Sequence, residues 1–238
     1  MHGADCSLPK YAICDAAAHG ASLAAMRTSA RTVAVVLFDE VELIDIAGPV
    51  QVLSLAGRQW NFRPFKIRPV AKAAGLVTTR NQLRLEATHA FDAVARPELV
   101  LVPGGYGARR ALDDDRLVTY LASAGETAEL VLGVGWGALL LAKAGLLAGA
   151  SVAAPTESRE LLSELEPTSV IDSQRRVLSS GKLITASSSA AGIDLGLSAV
   201  YRLLGAKQAL ALAEKLGHEW TPDGGAPAER IEILPPVE

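Results

Sequence analysis

A chain of 238 residues, half of them hydrophobic and with a formal net charge of −3, holds enough material for one domain with a sizeable core. No Lys/Arg block offers the footprint that grips a phosphate backbone, which excludes nucleic acid as a partner. The apolar runs break at Gly, Lys or Asp well short of the roughly 20 residues that cross a bilayer, so a soluble protein with no membrane partner is expected, its address cytoplasmic by default.

Residues 1–30 are rich in Ala, Ser and Gly and lack the basic start and continuous apolar centre of a secretory signal. They read as a disordered N-terminal extension, within which Met26 offers an alternative start. Cys6 and Cys14 both fall there, leaving the body without a disulfide framework or a thiolate metal site. From Arg31 onward β-branched runs alternate with amphipathic segments, the pattern of a parallel sheet covered by helices. The run 32–38 reads as a buried first strand, 49–57 as the helix after it, 65–71 as a strand, 76–86 as a hairpin and 98–105 as a strand ending in Gly-Gly. Residues 108–125 read as one helix, 128–134 as a strand and 136–147 as a helix leaving a Gly-x-Gly corner. A helix is expected from Thr156 as N-cap, with Arg159 and Glu160 in its first turn. A strand pair within 176–187 and two helices, 190–205 and 206–217, complete one undivided domain over 31–217. The Pro-containing tail 218–238 is expected to be extended and to lie on a surface.

In open α/β sheets ligands sit beyond the carboxyl ends of the strands. Three loops there carry polar or Gly-rich sequence. The first holds Asp39, Glu40, Glu42 and Asp45; the second is Gly104-Gly105-Tyr106-Gly107, whose glycines let bare amides face a ligand; the third is the corner Gly135-Trp136-Gly137. Each has a plain structural reading beside the functional one. Asp45 suits an N-cap, for a helix starting near Gly48 or Pro49. Trp136 suits the core as well as a pocket wall, and Gly104 and Gly105 suit a tight turn. Tyr106 is a loop aromatic of open orientation. Glu40 and Glu42 read as solvated, and His89 and His218 as surface residues without metal-ligand spacing. Ser187, Ser188 and Ser189 stand at a strand end, with Ser188 a candidate substrate contact. A serine nucleophile here has Asp45 as its sole candidate base.

The segments "VVLFDEVELIDIAGPVQVL", "LVLVPGGYG", "VLGVGWGALLLAKAGLLAG" and "LITASSSAAGIDLGLSAVYRLLG" together resemble the ThiJ/PfpI superfamily of the class I glutamine amidotransferase-like fold. They are most similar to its isonitrile hydratase branch and to the ligand domains of related regulators. The resemblance implies a flavodoxin-like parallel sheet with helices on both faces, its elbow at Gly135 to Gly137, and a homodimer. Members read Val-Cys-Thr-Gly-Ala at the corner; here stands Val134-Gly135-Trp136-Gly137-Ala138. Many carry Ala-Thr-Thr-His-Trp after the next strand, where this chain has Val152-Ala153-Ala154-Pro155-Thr156. The family's acidic residue beside the cysteine falls on Asp45, which is kept.

Covalent catalysis needs a side-chain nucleophile, and Gly135 supplies none, so the resemblance transfers no thiol-dependent activity. The expectation is a non-covalent acid–base enzyme, a lyase/hydratase, isomerase or cyclase acting on a small, largely apolar metabolite, with a role in natural-product biosynthesis. Asp45 is its catalytic residue, and Gly104, Gly105, Tyr106, Gly135, Trp136, Gly137 and Ser188 are its substrate contacts. No cofactor or metal is expected. The alternatives are an inactive small-molecule-binding pseudoenzyme and a Cys-to-Gly variant of an isonitrile hydratase-like enzyme. A desolvated Asp45 should have a raised pKa.

Overall fold

The computed structural model describes residues 30–56, 58 and 63–222; nearly all of the expected N-terminal extension and most of the expected tail lie outside them. The chain order is β1 (Arg31–Val36), α1 (Leu43–Leu55), β2 (Phe65–Ala71), β3 (Gly75–Thr78), β4 (Arg84–Ala87), β5 (His89–Ala90), β6 (Leu99–Val102), α2 (Gly107–Ala111), α3 (Asp115–Thr127) and β7 (Leu130–Val134). Then follow α4 (Gly137–Lys143), β8 (Ser151–Ala153), α5 (Arg159–Leu165), β9 (Val170–Asp172), β10 (Val177–Ser180), β11 (Leu183–Ala186), α6 (Gly192–Leu204) and α7 (Ala206–Leu216).

Seven strands form the central sheet in the order β10-β11-β7-β6-β1-β2-β5. All pairings are parallel except that of β10 with β11. The pleat sends alternate residues to opposite faces. Val33, Val35, Leu99 and Leu101 therefore join the core under α1, α6 and α7, while Ala34, Val36, Val100 and Val102 join the one under α2, α3, α4 and α5. Burial on both faces is why these strands are continuous apolar runs. From β1 the chain first builds the sheet toward β2 and β5, then returns to the other side of β1 with β6. That reversal opens a crevice at the carboxyl ends of β1 and β6.

Four sequence expectations need correcting. α1 begins at Leu43, not near Pro49, so Asp45 sits in its first turn and is not an N-cap; Glu42 holds the cap position without a side-chain bond. Proline at residue 49 looks like a first-turn residue, yet it lies inside the helix. There its ring meets α6, where a Cβ on Gly192 would lie 3.2 Å from Pro49 Cδ. The segment 108–125 is two helices, because the Asp114 carboxylate accepts from the Arg116 and Leu117 amides and starts α3 afresh. Thr156 opens a 3₁₀ turn and caps nothing. The fold also continues past Gly217: His218 bonds Asp194, and Trp220 is buried against Tyr201.

Candidate active site

The corner forms as the sequence suggests. β7 ends at Val134, Gly135 turns with φ of 55°, and α4 starts at Gly137. That φ lies in the left-handed region, where glycine is the least strained residue. The Gly135 N–H donates to the Ala186 carbonyl at 2.8 Å, tying the corner to the end of β11. A Cβ at Gly135 would meet a single atom within 4 Å, Asp45 Oδ2 at 3.6 Å. The space a side chain would occupy there is open and adjoins a carboxylate.

Asp45 is 1% exposed. Its Oδ2 accepts the Gly104 N–H at 2.8 Å, and Oδ1 is buried with no hydrogen-bond partner. Burial raises its pKa from 3.8 to about 6, against the lowering by the Ser189 hydroxyl and the Gly104 amide and with a further rise from Glu42. Ser189 lines the same cleft as Asp45, but no bond of acceptable geometry closes on Oδ1. Gly104 is glycine for a steric reason: a Cβ would stand 2.6 Å from the Trp136 amide nitrogen and 3.0 Å from Asp45 Oδ2.

A cleft of about 500 Å³ opens over this pair. Gly105, Tyr106, Gly135, Trp136 and Ser188 all line it. Trp136 is half-buried with the Arg109 guanidinium 5.7 Å above its ring. Tyr106 is exposed and carries Arg80 at 5.3 Å. Two expected contacts sit differently. The Gly104 amide is committed to Asp45, and Gly137 packs against the Val102 carbonyl, where a Cβ would collide. Glu42 lines the cleft, whereas Glu40 is outside its lining and pairs with Arg110.

The sequence reading missed Arg80, Ser173 and Glu157, all on the wall. Ser187 and Ser189, named with Ser188 at the strand end, line it as well. Arg80 carried no signal, since it enters only because the β3–β4 hairpin folds onto the first loop, with Glu40 N–H donating to Thr78 and Arg80 N–H to Val41. Among the described residues no group of His, Cys, Asp and Glu could hold a metal ion, and no helix is long and apolar enough to cross a membrane.

The DJ-1/PfpI family model matches residues 31–202, which include every element of this site. The chain belongs to the DJ-1/PfpI family. Its overall fold is similar to those of solved structures. A ThiJ/PfpI family protein from Pseudomonas syringae is similar at a TM-score of 0.72 and 24% identity, over 87% of this chain and 80% of that one. An AraC family transcriptional regulator from Pseudomonas putida is similar at 0.67 and 25%, over 78% and 99%. Among curated proteins, an isonitrile hydratase from Pseudomonas putida is 30% identical over 193 residues, 80% of this chain and 81% of that one.

Proposed function

We propose that this DJ-1/PfpI protein is a hydratase-like enzyme working by non-covalent acid–base chemistry at Asp45. The observation that carries the reading is the buried, half-satisfied Asp45 carboxyl beside the open space at Gly135. A substrate atom or a water placed in that space meets a carboxyl whose pKa of about 6 keeps both protonation states accessible near neutral pH. In a hydration, ionised Asp45 takes a proton from water as the water oxygen bonds an unsaturated carbon, and the same group returns a proton to the adjacent atom. In an isomerisation or cyclisation it removes a proton from one atom and delivers one to another. Trp136 offers a flat face for an apolar body, and the serine wall and Arg80 suit a polar substituent. The similarity to an isonitrile hydratase supports the hydratase class, and a compact unsaturated metabolite fits a role in natural-product biosynthesis.

The test starts from whatever the purified protein carries. Small molecules released by denaturation are identified by mass spectrometry and incubated with fresh protein. Turnover that falls about 10²–10⁴-fold in Asp45→Asn supports the enzyme. Turnover intact in Asp45→Asn refutes the role given to Asp45. Tight binding without turnover favours the second reading, a small-molecule-binding pseudoenzyme, which the likeness to a transcriptional regulator supports.

A further inference from the structure

A second charged cluster is bonded to the serine segment that lines the cleft. Asp194, in the first turn of α6, is 2% exposed. Its Oδ2 accepts from Arg176 Nε at 3.1 Å and Nη2 at 2.5 Å, and its Oδ1 lies 2.7 Å from His218 Nε2. The Arg176 carbonyl in turn accepts the Ser187 N–H at 2.9 Å and faces the Ser187 hydroxyl at 3.4 Å. Ser187 to Ser189 form the serine wall of the cleft and run through a 3₁₀ turn, Ser189–Ala191, into α6. The residue before them, Ala186, accepts the Gly135 N–H.

The serine loop is therefore held at its start by Arg176 and Gly135 and at its end by the helix that bears Asp194. Asp194 joins the two ends by gripping the Arg176 guanidinium. A buried ion pair is often no more stabilising than apolar side chains of equal volume, so stability alone is a weak reason for one here. The pair spans the Ser187–Ser189 loop, which lines the cleft together with Asp45.

We propose that Asp194 is a positioning residue for the active site: by clamping Arg176 and His218 it sets the Ser187–Ser189 loop so that the Ser189 hydroxyl faces the Asp45 carboxyl. The clamp also makes His218, beyond the last helix, part of the support of the site. It affects turnover only if Asp45 is the working group, so the proposal rests on the reading above, but its test needs no substrate.

The readout is the Asp45 titration, followed by ¹³C-carboxyl NMR in the full chain. Glu42 is the other charged group acting on this carboxyl and stays unchanged throughout. Ser189→Ala should raise the Asp45 pKa, because a group that favours the ionised form is lost. Arg176→Met/Asp194→Leu, which replaces the pair by apolar volume, should raise it in the same direction. Adding Ser189→Ala to that double variant should raise it no further, since both act through one hydroxyl. Arg176→Lys keeps the charge but loses the fork, should fold, and should give a smaller rise; it serves if the double variant does not fold. An Asp45 titration unmoved in Ser189→Ala, or unmoved in the folded Arg176 variants while their melting temperature falls, overturns the proposal and leaves Asp194 purely structural. An additive rise in the triple variant also overturns the route through Ser189. Loss of the acid–base reading would appear separately, as turnover intact in Asp45→Asn.

Discussion

At the residue scale, Asp45 is held where stability suffers for it. Its pKa rises from 3.8 to about 6 on folding, so between those values the folded chain keeps a proton that the unfolded chain releases. The stability this group allows is complete below about pH 4 and is lost as pH rises through about 6, a difference of about 3 kcal/mol. Asp45→Asn, which cannot ionise, should therefore melt higher than the parent at pH 8 and about equally at pH 4; equal melting at both values would show an unperturbed carboxyl. The two glycines beside it should respond differently to alanine. Gly135→Ala meets open space and should cost only about 1–2 kcal/mol for its left-handed backbone. Gly104→Ala would drive a Cβ against the Trp136 amide and should cost more in chemical denaturation, with the Asp45 pKa rising as the Gly104 bond is lost. The motif made Asp45 legible as an acidic site residue. Its lack of a partner on Oδ1 was not legible, because that depends on atoms from β6, β7 and the loop after β11.

At the element scale, the placement of Asp45 depends on how closely α1 approaches α6. A Cβ on Gly196 would stand 3.0 Å from Val52 Cβ and 3.1 Å from Pro49 Cα, and one on Gly48 would stand 3.4 Å from Ile193. Gly196→Ala should push the helices apart and cost about 1–3 kcal/mol, read as a lower denaturation midpoint, with turnover falling beyond what stability explains because α1 carries Asp45. This packing also explains the misplaced start of α1. Local preference puts a proline in the first turn, but Pro49 is tolerated within the helix by tertiary contact with Gly192 and Gly196. By contrast, the break between α2 and α3 has a local cause. Asp114→Ala should cost about 1 kcal/mol by removing the cap, and the run Asp113-Asp114-Asp115 was the available signal for it.

At the scale of the whole molecule, the exposed apolar residues Ile44, Leu76, Leu83 and Tyr106 belong to the start of α1, the hairpin and the Gly-rich loop, all on segments near the carboxyl edge. Exposed apolar side chains of this kind can serve an interaction site, and the homodimer implied by the family resemblance is tested by light scattering at micromolar concentration, where twice the chain mass is expected and a monomer mass would count against it. Removing the chain after Gly217 takes away the buried Trp220 and the His218 bond to Asp194. That truncation should cost about 3 kcal/mol, and thermal melting against the full chain measures it.

The order of apolar runs and amphipathic segments determined the parallel sheet, its two-sided core and the glycine corner, because each depends on residues within one strand or helix and on the period of its burial. Motif spacing determined which loops meet at the carboxyl edge. Only the tertiary structure decided that Gly104 spends its amide on Asp45, that Gly137 packs inward, that Arg80 reaches the cleft and that Asp194 braces the serine loop. Those are contacts between segments distant in sequence, 59 residues in the case of Asp45 and Gly104, and their geometry is set by how α1, α6 and the hairpin dock on the sheet.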